Sequence, residues 1–164
     1  MSEYSLQPAR LVHAPVLAGM AAIQIELGLR PSWHAGRIAR HITHPDSMVL
    51  IAKARSEVAG FAIMQYGDDR AHLNLLAVAP THQRRGIGRQ LVRWLEETAF
   101  TAGTFVIRLE LRTTNAQAHA FYASLGYRAT GRIDGYYQGL EHATLMEHDL
   151  RICRSAQADI NGST

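Results

Sequence analysis

Residues 75–88 read Leu75-Leu76-Ala77-Val78-Ala79-Pro80-Thr81-His82-Gln83-Arg84-Arg85-Gly86-Ile87-Gly88. An apolar strand ends at Val78, a proline turn follows, and a glycine-spaced basic loop opens a helix. In that helix Ile87, Leu91, Trp94, Leu95 and Thr98 recur at three- and four-residue spacing, which predicts one core-facing side. Arg89, Arg93, Glu96 and Glu97 fall on the other side and are expected in solvent. At a helix start the first backbone N–H groups have no intrahelical partner, and the dipole end is positive. Gly86 and Gly88 let an anion come close to the backbone, with Gln83, Arg84, Arg85 and Arg89 as surrounding donors. Such a loop is a cradle for a phosphate or pyrophosphate. Taken by itself it is equally a strand-turn-helix junction with surface arginines. A nucleoside-triphosphate loop would need Gly-Lys-Ser or Gly-Lys-Thr, which Gly86-Ile87-Gly88-Arg89 lacks. A dinucleotide fingerprint would need a third glycine where Leu91 stands.

A second patterned stretch follows. Leu109-Glu110-Leu111-Arg112-Thr113-Thr114-Asn115 leads into Ala118, Phe121-Tyr122 and Leu125-Gly126-Tyr127. With both motifs in this order, the chain resembles the GNAT superfamily of N-acetyltransferases. The superfamily's cofactor turn reads Gln or Arg, two free positions, Gly, one free position, then Gly or Ala. Gln83 to Gly88 satisfies every fixed position. The strand-Asn-helix-Tyr-Gly-aromatic stretch is similar to the branch that acetylates the N-terminal alanine of a ribosomal protein. The likeness runs from about residue 48 to 150 and is densest over 75–127.

The resemblance implies an α/β GNAT fold, a mixed and mostly antiparallel central sheet flanked by helices in three layers. In that fold the two central strands splay and pantetheine lies between them. It further implies acetyl-coenzyme A as co-substrate, no metal, and direct attack by a primary amine in a ternary complex.

Bulk properties agree with a folded domain over residues 1–152 and a polar tail over 153–164. The chain has 164 residues, 47% apolar and 19% charged, enough for a sizeable core and too polar for a membrane protein. The excess of 17 basic over 14 acidic residues is modest and scattered, so no nucleic-acid partner is expected. The apolar stretch from Ala14 to Leu29 contains Gln24 and Glu26 and is too short and polar to span a membrane. Glu3 near the start, without a basic cluster, argues against a signal peptide. The single Cys153 excludes an internal disulfide and suits a reducing cytoplasm. Of nine histidines, His41 and His44 are closely spaced, but no cysteine or carboxylate completes a metal site beside them.

The element pattern predicts a strand over 5–12 and a helix over about 14–28 whose inward positions are Val16, Met20, Ile23 and Leu27. A second helix is expected from Pro31 to about His41. Strands follow at 48–52, 58–66 and 70–78, then the cofactor helix from Gly86 to about Ala102 and a strand at 106–112. Asn115 caps a helix that stops at Gly126. Strands at 127–133 and 143–150 enclose an Asp134-Gly135-Tyr136-Tyr137 loop.

Alternation along 106–112 puts Arg108, Glu110 and Arg112 on one face. On that pattern Glu110 is a solvated residue paired with its arginine neighbours. The resemblance implies instead that Glu110 is the general base, acting through a water on the incoming ammonium. Tyr122 reads as a core aromatic; the resemblance makes it the general acid beside the thioester sulfur. A phenol of pKa ~10 is a weaker acid than a thiol of pKa ~8.5, so complete proton transfer is uphill by roughly 2 kcal/mol. A hydrogen bond to the developing thiolate is the expected role. Asn115, besides its cap, is implied near the pantetheine-phosphate arm. Leu76, Ala77 and Val78 are implied to contact pantetheine through their backbone, with core side chains. Arg84, Arg85, Gly86, Ile87, Gly88 and Arg89 are implied to hold the diphosphate. His72 and Asn74 share a strand face with Leu76 and Val78, and either is an alternative base. Tyr136 and Tyr137 are implied to frame the acceptor, a peptide or protein N-terminus. Gln138 stands where ribosomal enzymes often have proline, and Leu29-Arg30-Pro31-Ser32-Trp33 matches their substrate loop only loosely.

Three functions therefore remain open. The first is an N-acetyltransferase for a peptide or protein α-amine. The second acetylates a small amine such as a polyamine, amino acid or aminoglycoside, and the third is a non-catalytic acyl-coenzyme A sensor. The oligomeric state, a homodimer included, is open as well.

Overall fold

The computed structural model describes residues 3–152; Cys153 and the tail expected over 153–164 lie outside the described residues. Among the described residues seven strands form one mixed sheet in the order β1-β2-β3-β4-β5-β7-β6. They are β1 Ser5–Pro8, β2 Ser47–Ala54, β3 Glu57–Tyr66, β4 Arg70–Val78, β5 Val106–Arg112, β6 Arg128–Tyr137 and β7 Glu141–Asp149. Among the described residues they are accompanied by helices α1 Ala14–Gln24, α2 Ala35–Thr43, α3 Ile87–Thr101 and α4 Ala116–Ser124. The chain divides into two compact units, one of residues 3–66 and 73–95, the other of residues 67–72 and 96–152.

In the first unit β2 pairs antiparallel with both β1 and β3. Strands β2 and β3 read Met-Val-Leu-Ile-Ala and Ala-Gly-Phe-Ala-Ile-Met at their centres. Such continuous apolar runs belong to strands covered on both faces. On one face Val49, Ile51, Phe61, Ile63, Leu75 and Ala77 meet Ala14, Leu17 and Ala21 of α1 and Ile38 of α2. On the other, Gly60 lies under α3: a Cβ there would stand 3.2 Å from Ile87 and 3.0 Å from the Ala77 carbonyl oxygen. The glycine lets the start of α3 approach the sheet.

The structure corrects the expected orientation and end of α1. Its buried positions are Ala14, Leu17 and Ala21, whereas Val16, Ile23 and Leu27 are exposed and only Met20 packs partly against the core. The stretch is apolar on most sides, so periodicity alone does not choose its inward face; the small residues admit the closer approach to the sheet. The helix stops at Gln24 because Glu26 turns inward. Buried, its carboxylate accepts from the Ser32 N–H (2.7 Å), the Ser32 hydroxyl (2.7 Å) and the Trp33 N–H (2.9 Å). Those bonds hold residues 32–33 outside a helix, so α2 starts at Ala35 rather than Pro31, capped by the His34 ring accepting from the Arg37 N–H. The first strand is also shorter than expected, ending at Pro8 ahead of a 3₁₀ turn at Leu11–His13.

In the second unit the start of β4 runs parallel to β5 through Arg70↔Val106, Ala71↔Ile107 and His72↔Arg108. Strand β5 pairs antiparallel with β7 along all of Val106–Arg112, and β7 pairs antiparallel with β6. Contrary to expectation Tyr136 and Tyr137 belong to β6, and the turn is at 138–140. Gly135 takes φ +64° and donates its N–H to the His142 ring at 2.9 Å, so the strand continues through an irregular register.

On α3 the structure departs from the expected solvent position of Glu96: it is buried on the Val92-Glu96-Ala99 stripe. Its carboxylate accepts from the Tyr127 hydroxyl at 3.3 Å and lies 3.0 Å from His148 Nδ1. Trp94 and Thr98 are only half-buried.

Candidate functional site

The phosphate-cradle sequence lies wholly in the first unit. After Val78 the chain makes a 3₁₀ turn at Pro80–His82, and the Gln83 side-chain amide donates back to the Val78 carbonyl at 3.1 Å. His82 is held on both ring nitrogens, Nδ1 by the Tyr4 hydroxyl at 3.1 Å and Nε2 by Glu57 at 2.8 Å. Arg84 at φ +63° and Gly86 at φ +79° then turn the loop sharply into α3. The first N–H to find its acceptor along the helix is Gln90, on Gly86 O, so the N–H groups of Ile87, Gly88 and Arg89 precede the ladder.

Arg84, Arg85, Gly86 and Arg89 are exposed, and a Cβ on Gly86 would meet nothing within 4 Å. Open space over a left-handed glycine, exposed guanidiniums and the N-terminal N–H groups of α3 suit a diphosphate. Arg85 is engaged already, 3.3 Å from both Glu3 and the Tyr4 hydroxyl. Ile87 is buried and anchors the helix, and Gly88 is half-buried. Along β4 the side chain of Ala77 is core, but those of Leu76 and Val78 are partly exposed. The expectation of three core side chains is corrected: alternation sends Leu76 and Val78 to the face opposite Leu75 and Ala77.

The residues of acid–base chemistry lie in the second unit. On β5 Ile107, Leu109 and Leu111 are buried, and Arg108, Glu110 and Arg112 share the opposite face. Arg108 reaches Glu147 at 3.2 Å and Arg112 reaches Glu141 at 3.1 Å, while Glu110 Oε2 is hydrogen-bonded to His72 Nε2. Two separate candidates for the base thus form one pair, with 34% of the His72 side chain exposed against 13% for Glu110. Asn74, the third candidate, belongs to the first unit and is half-buried on β4.

Burial pushes the Tyr137 phenol up, and the charges of Tyr136, Glu110 and Glu141 add to it against an opposing effect of Arg112. The Arg112 guanidinium carbon stands 5.8 Å from the Tyr137 ring centre. Tyr122 is pushed up by its own burial, with Tyr137 as the second cause. The Tyr122 ring meets Phe121 at 5.0 Å and Tyr127 at 5.5 Å, both edge-on. Its helix starts where Asn115 accepts from the Ala118 N–H at 3.0 Å, the cap anticipated from sequence. Tyr136 is exposed and packs edge-on to Tyr137 at 4.9 Å.

Sequence reasoning missed the His72–Glu110 bond, the Glu96–His148–Tyr127 network and the carboxylate clasp of Glu26. Glu96 alone left a trace, its place at helical spacing between Val92 and Ala99. Among the described residues no helix is long and apolar enough to cross a membrane.

A family model described as the acetyltransferase (GNAT) family matches residues 19–127. The [ribosomal protein bS18]-alanine N-acetyltransferase of Salmonella typhimurium is 42% identical over 96 residues, which cover 57% of this chain and 65% of that enzyme. The catalytic subunit of the N-terminal acetyltransferase B complex of Schizosaccharomyces pombe is 36% identical over 90 residues, 55% of this chain and 49% of that subunit. The matches thus span from about half to just under two thirds of those relatives. Among solved structures, the ribosomal-protein-S18-alanine N-acetyltransferase of Escherichia coli superposes with a TM-score of 0.78 at 26% identity, covering 90% of this chain and 94% of that one.

Proposed function

Because the chain belongs to the acetyltransferase (GNAT) family, we propose that it transfers acetyl from acetyl-coenzyme A to the α-amine of a peptide or protein N-terminus. The observation that carries the reading is the hydrogen bond of Glu110 with His72 in the unit that also holds the buried Tyr122. The relatives' activities on N-terminal residues support the choice of acceptor.

Acetyl-coenzyme A supplies an acyl group activated as a thioester. The exposed Arg84 and Arg89, the N–H groups of Ile87 and Gly88 and the uncovered backbone of Gly86 hold its diphosphate, and Arg85 joins them by exchanging its contact with Glu3. The backbone of Leu76, Ala77 and Val78 serves the pantetheine arm, and Asn115 caps α4. Glu110 with His72 provides the base that removes the ammonium proton. Tyr122, its phenol held neutral by burial, donates a hydrogen bond where thiolate charge develops; the higher acidity of a thiol brings the proton to sulfur at the end. Tyr136 and Tyr137 border the acceptor.

The test is free-thiol release from acetyl-coenzyme A against short peptides and small amines, with mass detection of the product. Acetylation confined to peptide N-termini is the expected result; turnover of small amines alone would replace this acceptor, and cofactor binding without any turnover would make the chain a sensor. The α-amine reading also predicts a smaller effect of Glu110→Gln than a lysine-like acceptor would give. An α-amine of pKa ~8 is about a tenth neutral at pH 7, an aliphatic amine of pKa ~10.4 under one part in a thousand.

A further inference from the structure

We propose that Glu96 is a positioning residue for Tyr122, acting through the hydroxyl of Tyr127. The proposal rests on the acetyl-transfer reading above, in which Tyr122 donates to the departing sulfur.

Tyr127 holds Tyr122 at two points. Its backbone N–H donates to the Tyr122 carbonyl at 3.0 Å, and its ring meets the Tyr122 ring edge-on at 5.5 Å. Tyr127 is itself buried, and its hydroxyl donates to Glu96 Oε2 at 3.3 Å. The same carboxylate oxygen lies 3.0 Å from His148 Nδ1. Contacts thus run from β7 and α3, through Tyr127, to the ring of Tyr122.

The far edge of the imidazole closes the arrangement. A Cβ on Gly126 would stand 2.9 Å from His148 Nε2 and 3.3 Å from two of its ring carbons. Gly126, at φ +101°, lies in the short connection between Tyr122 and Tyr127. His148 therefore packs on that connection with one edge and on Glu96 with the other. The Tyr127 ring also faces the imidazole, with centroids 5.0 Å apart.

Cohesion alone does not call for these groups. Two ionisable side chains taken out of water are a weak source of stability, and apolar residues of similar volume commonly hold a fold as well. A phenylalanine at position 127 would keep the edge-on contact with Tyr122. What the hydroxyl adds is direction. A hydrogen bond prefers a narrow range of length and angle, so the bond to Glu96 fixes where the Tyr127 ring lies. A donor aimed at developing charge depends on such placement being set before the reaction. Glu96 is buried away from the reacting atoms and sets the position of the ring that meets them.

The experiment is a double-mutant cycle. Wild type, Tyr127→Phe, Tyr122→Phe and the double variant are compared in kcat, in KM for acetyl-coenzyme A and for one reactive peptide, and in urea unfolding. Tyr127→Phe removes one oxygen and keeps the ring. It is expected to lower kcat about tenfold by misplacing a reacting group, with both KM values unchanged. In the Tyr122→Phe background the same substitution is expected to change kcat by less than about twofold, because the group it positions is gone. Glu96→Ala should reproduce the kcat loss, and Glu96→Gln, which keeps an oxygen for the hydroxyl, should recover most of it. Ile63→Val, a trimmed core residue of β3, is the destabilised control and should leave kcat unchanged.

Equal losses from Tyr127→Phe in the two backgrounds would overturn the proposal and leave the network purely structural. An unchanged kcat in Tyr127→Phe would overturn it too, as would a matching loss in Ile63→Val, which would trace the effect to stability. Full activity of Tyr122→Phe would remove the donor and this proposal with it, while acetyl transfer still stands. Absence of transfer to any amine by the wild type would remove the proposed function itself.

Discussion

The carboxylate of Glu96 and the imidazole of His148 meet at 3.0 Å with 5% of each side chain exposed, and the hydroxyl of Tyr127 donates to the same oxygen. Removing one member of such a buried hydrogen-bonded group costs about 1–3 kcal/mol. Glu96→Ala is expected to lower the unfolding free energy by that amount in urea, and Glu96→Gln, which keeps an acceptor, by less. A loss under ~1 kcal/mol for the alanine variant would show that the network contributes little.

Tyr122→Phe is expected to leave the fold intact and reduce acetyl turnover by roughly 10- to 100-fold, the effect of one hydrogen bond to developing charge at ~1.5–3 kcal/mol. Burial raises the Tyr122 phenol above its ordinary range, so it stays protonated throughout the assay range. Wild-type turnover should therefore show no decline between pH 8 and about 10 that vanishes in Tyr122→Phe; such a limb would refute its role as a neutral donor.

Tyr66 gives a prediction about alkaline stability. Its buried hydroxyl finds no hydrogen-bond partner among the described residues, and burial pushes its pKa up to about 12. An unfolded tyrosine ionises near ~10. Its contribution is fully present below that pH and is lost as pH rises toward about 12, by up to roughly 2–3 kcal/mol. Tyr66→Phe should flatten that decline and, by deleting an unsatisfied donor, stabilise the protein at pH 7 by about 1 kcal/mol. Thermal melts at pH 7 and through the alkaline range would decide it.

Gly86 separates conformation from packing. A Cβ there meets no atom, but φ +79° disfavours any L side chain by about 1–2 kcal/mol. Gly86→Ala should lower stability by that margin and weaken coenzyme A at least tenfold by calorimetry, since the methyl occupies the side proposed for the diphosphate. Unchanged affinity would place the anion elsewhere.

Strands β4 and β5 have the bounds their alternation predicts, and Asn115 caps α4 as its residue type suggests. These are local signals, carried by period, turn residues and cap. The acid–base residues lie on those same elements. What stayed hidden depends on partners far along the chain. Glu96 looks like a surface residue until His148, 52 positions away, is brought to it. Glu110 looks like a neighbour of Arg108 and Arg112 until β7 supplies Glu147 and Glu141 to occupy them. Helix α1 was legible as a helix, but with Leu17 and Ile23 both apolar, its inward face was set by the sheet beneath it.

The contact of Arg85 with Glu3 and the Tyr4 hydroxyl gives the basic loop an internal competitor. An anion that recruits this guanidinium must exchange one partner for another, so its gain from Arg85 is the difference between two attractions. By reciprocity, whatever tightens the hold of Glu3 loosens that of the anion, and anion binding releases Glu3 and Tyr4 to the same degree. Charge removal at residue 3 should therefore sharpen affinity at a loop more than 80 positions away, making the residues just before β1 a built-in brake on loading.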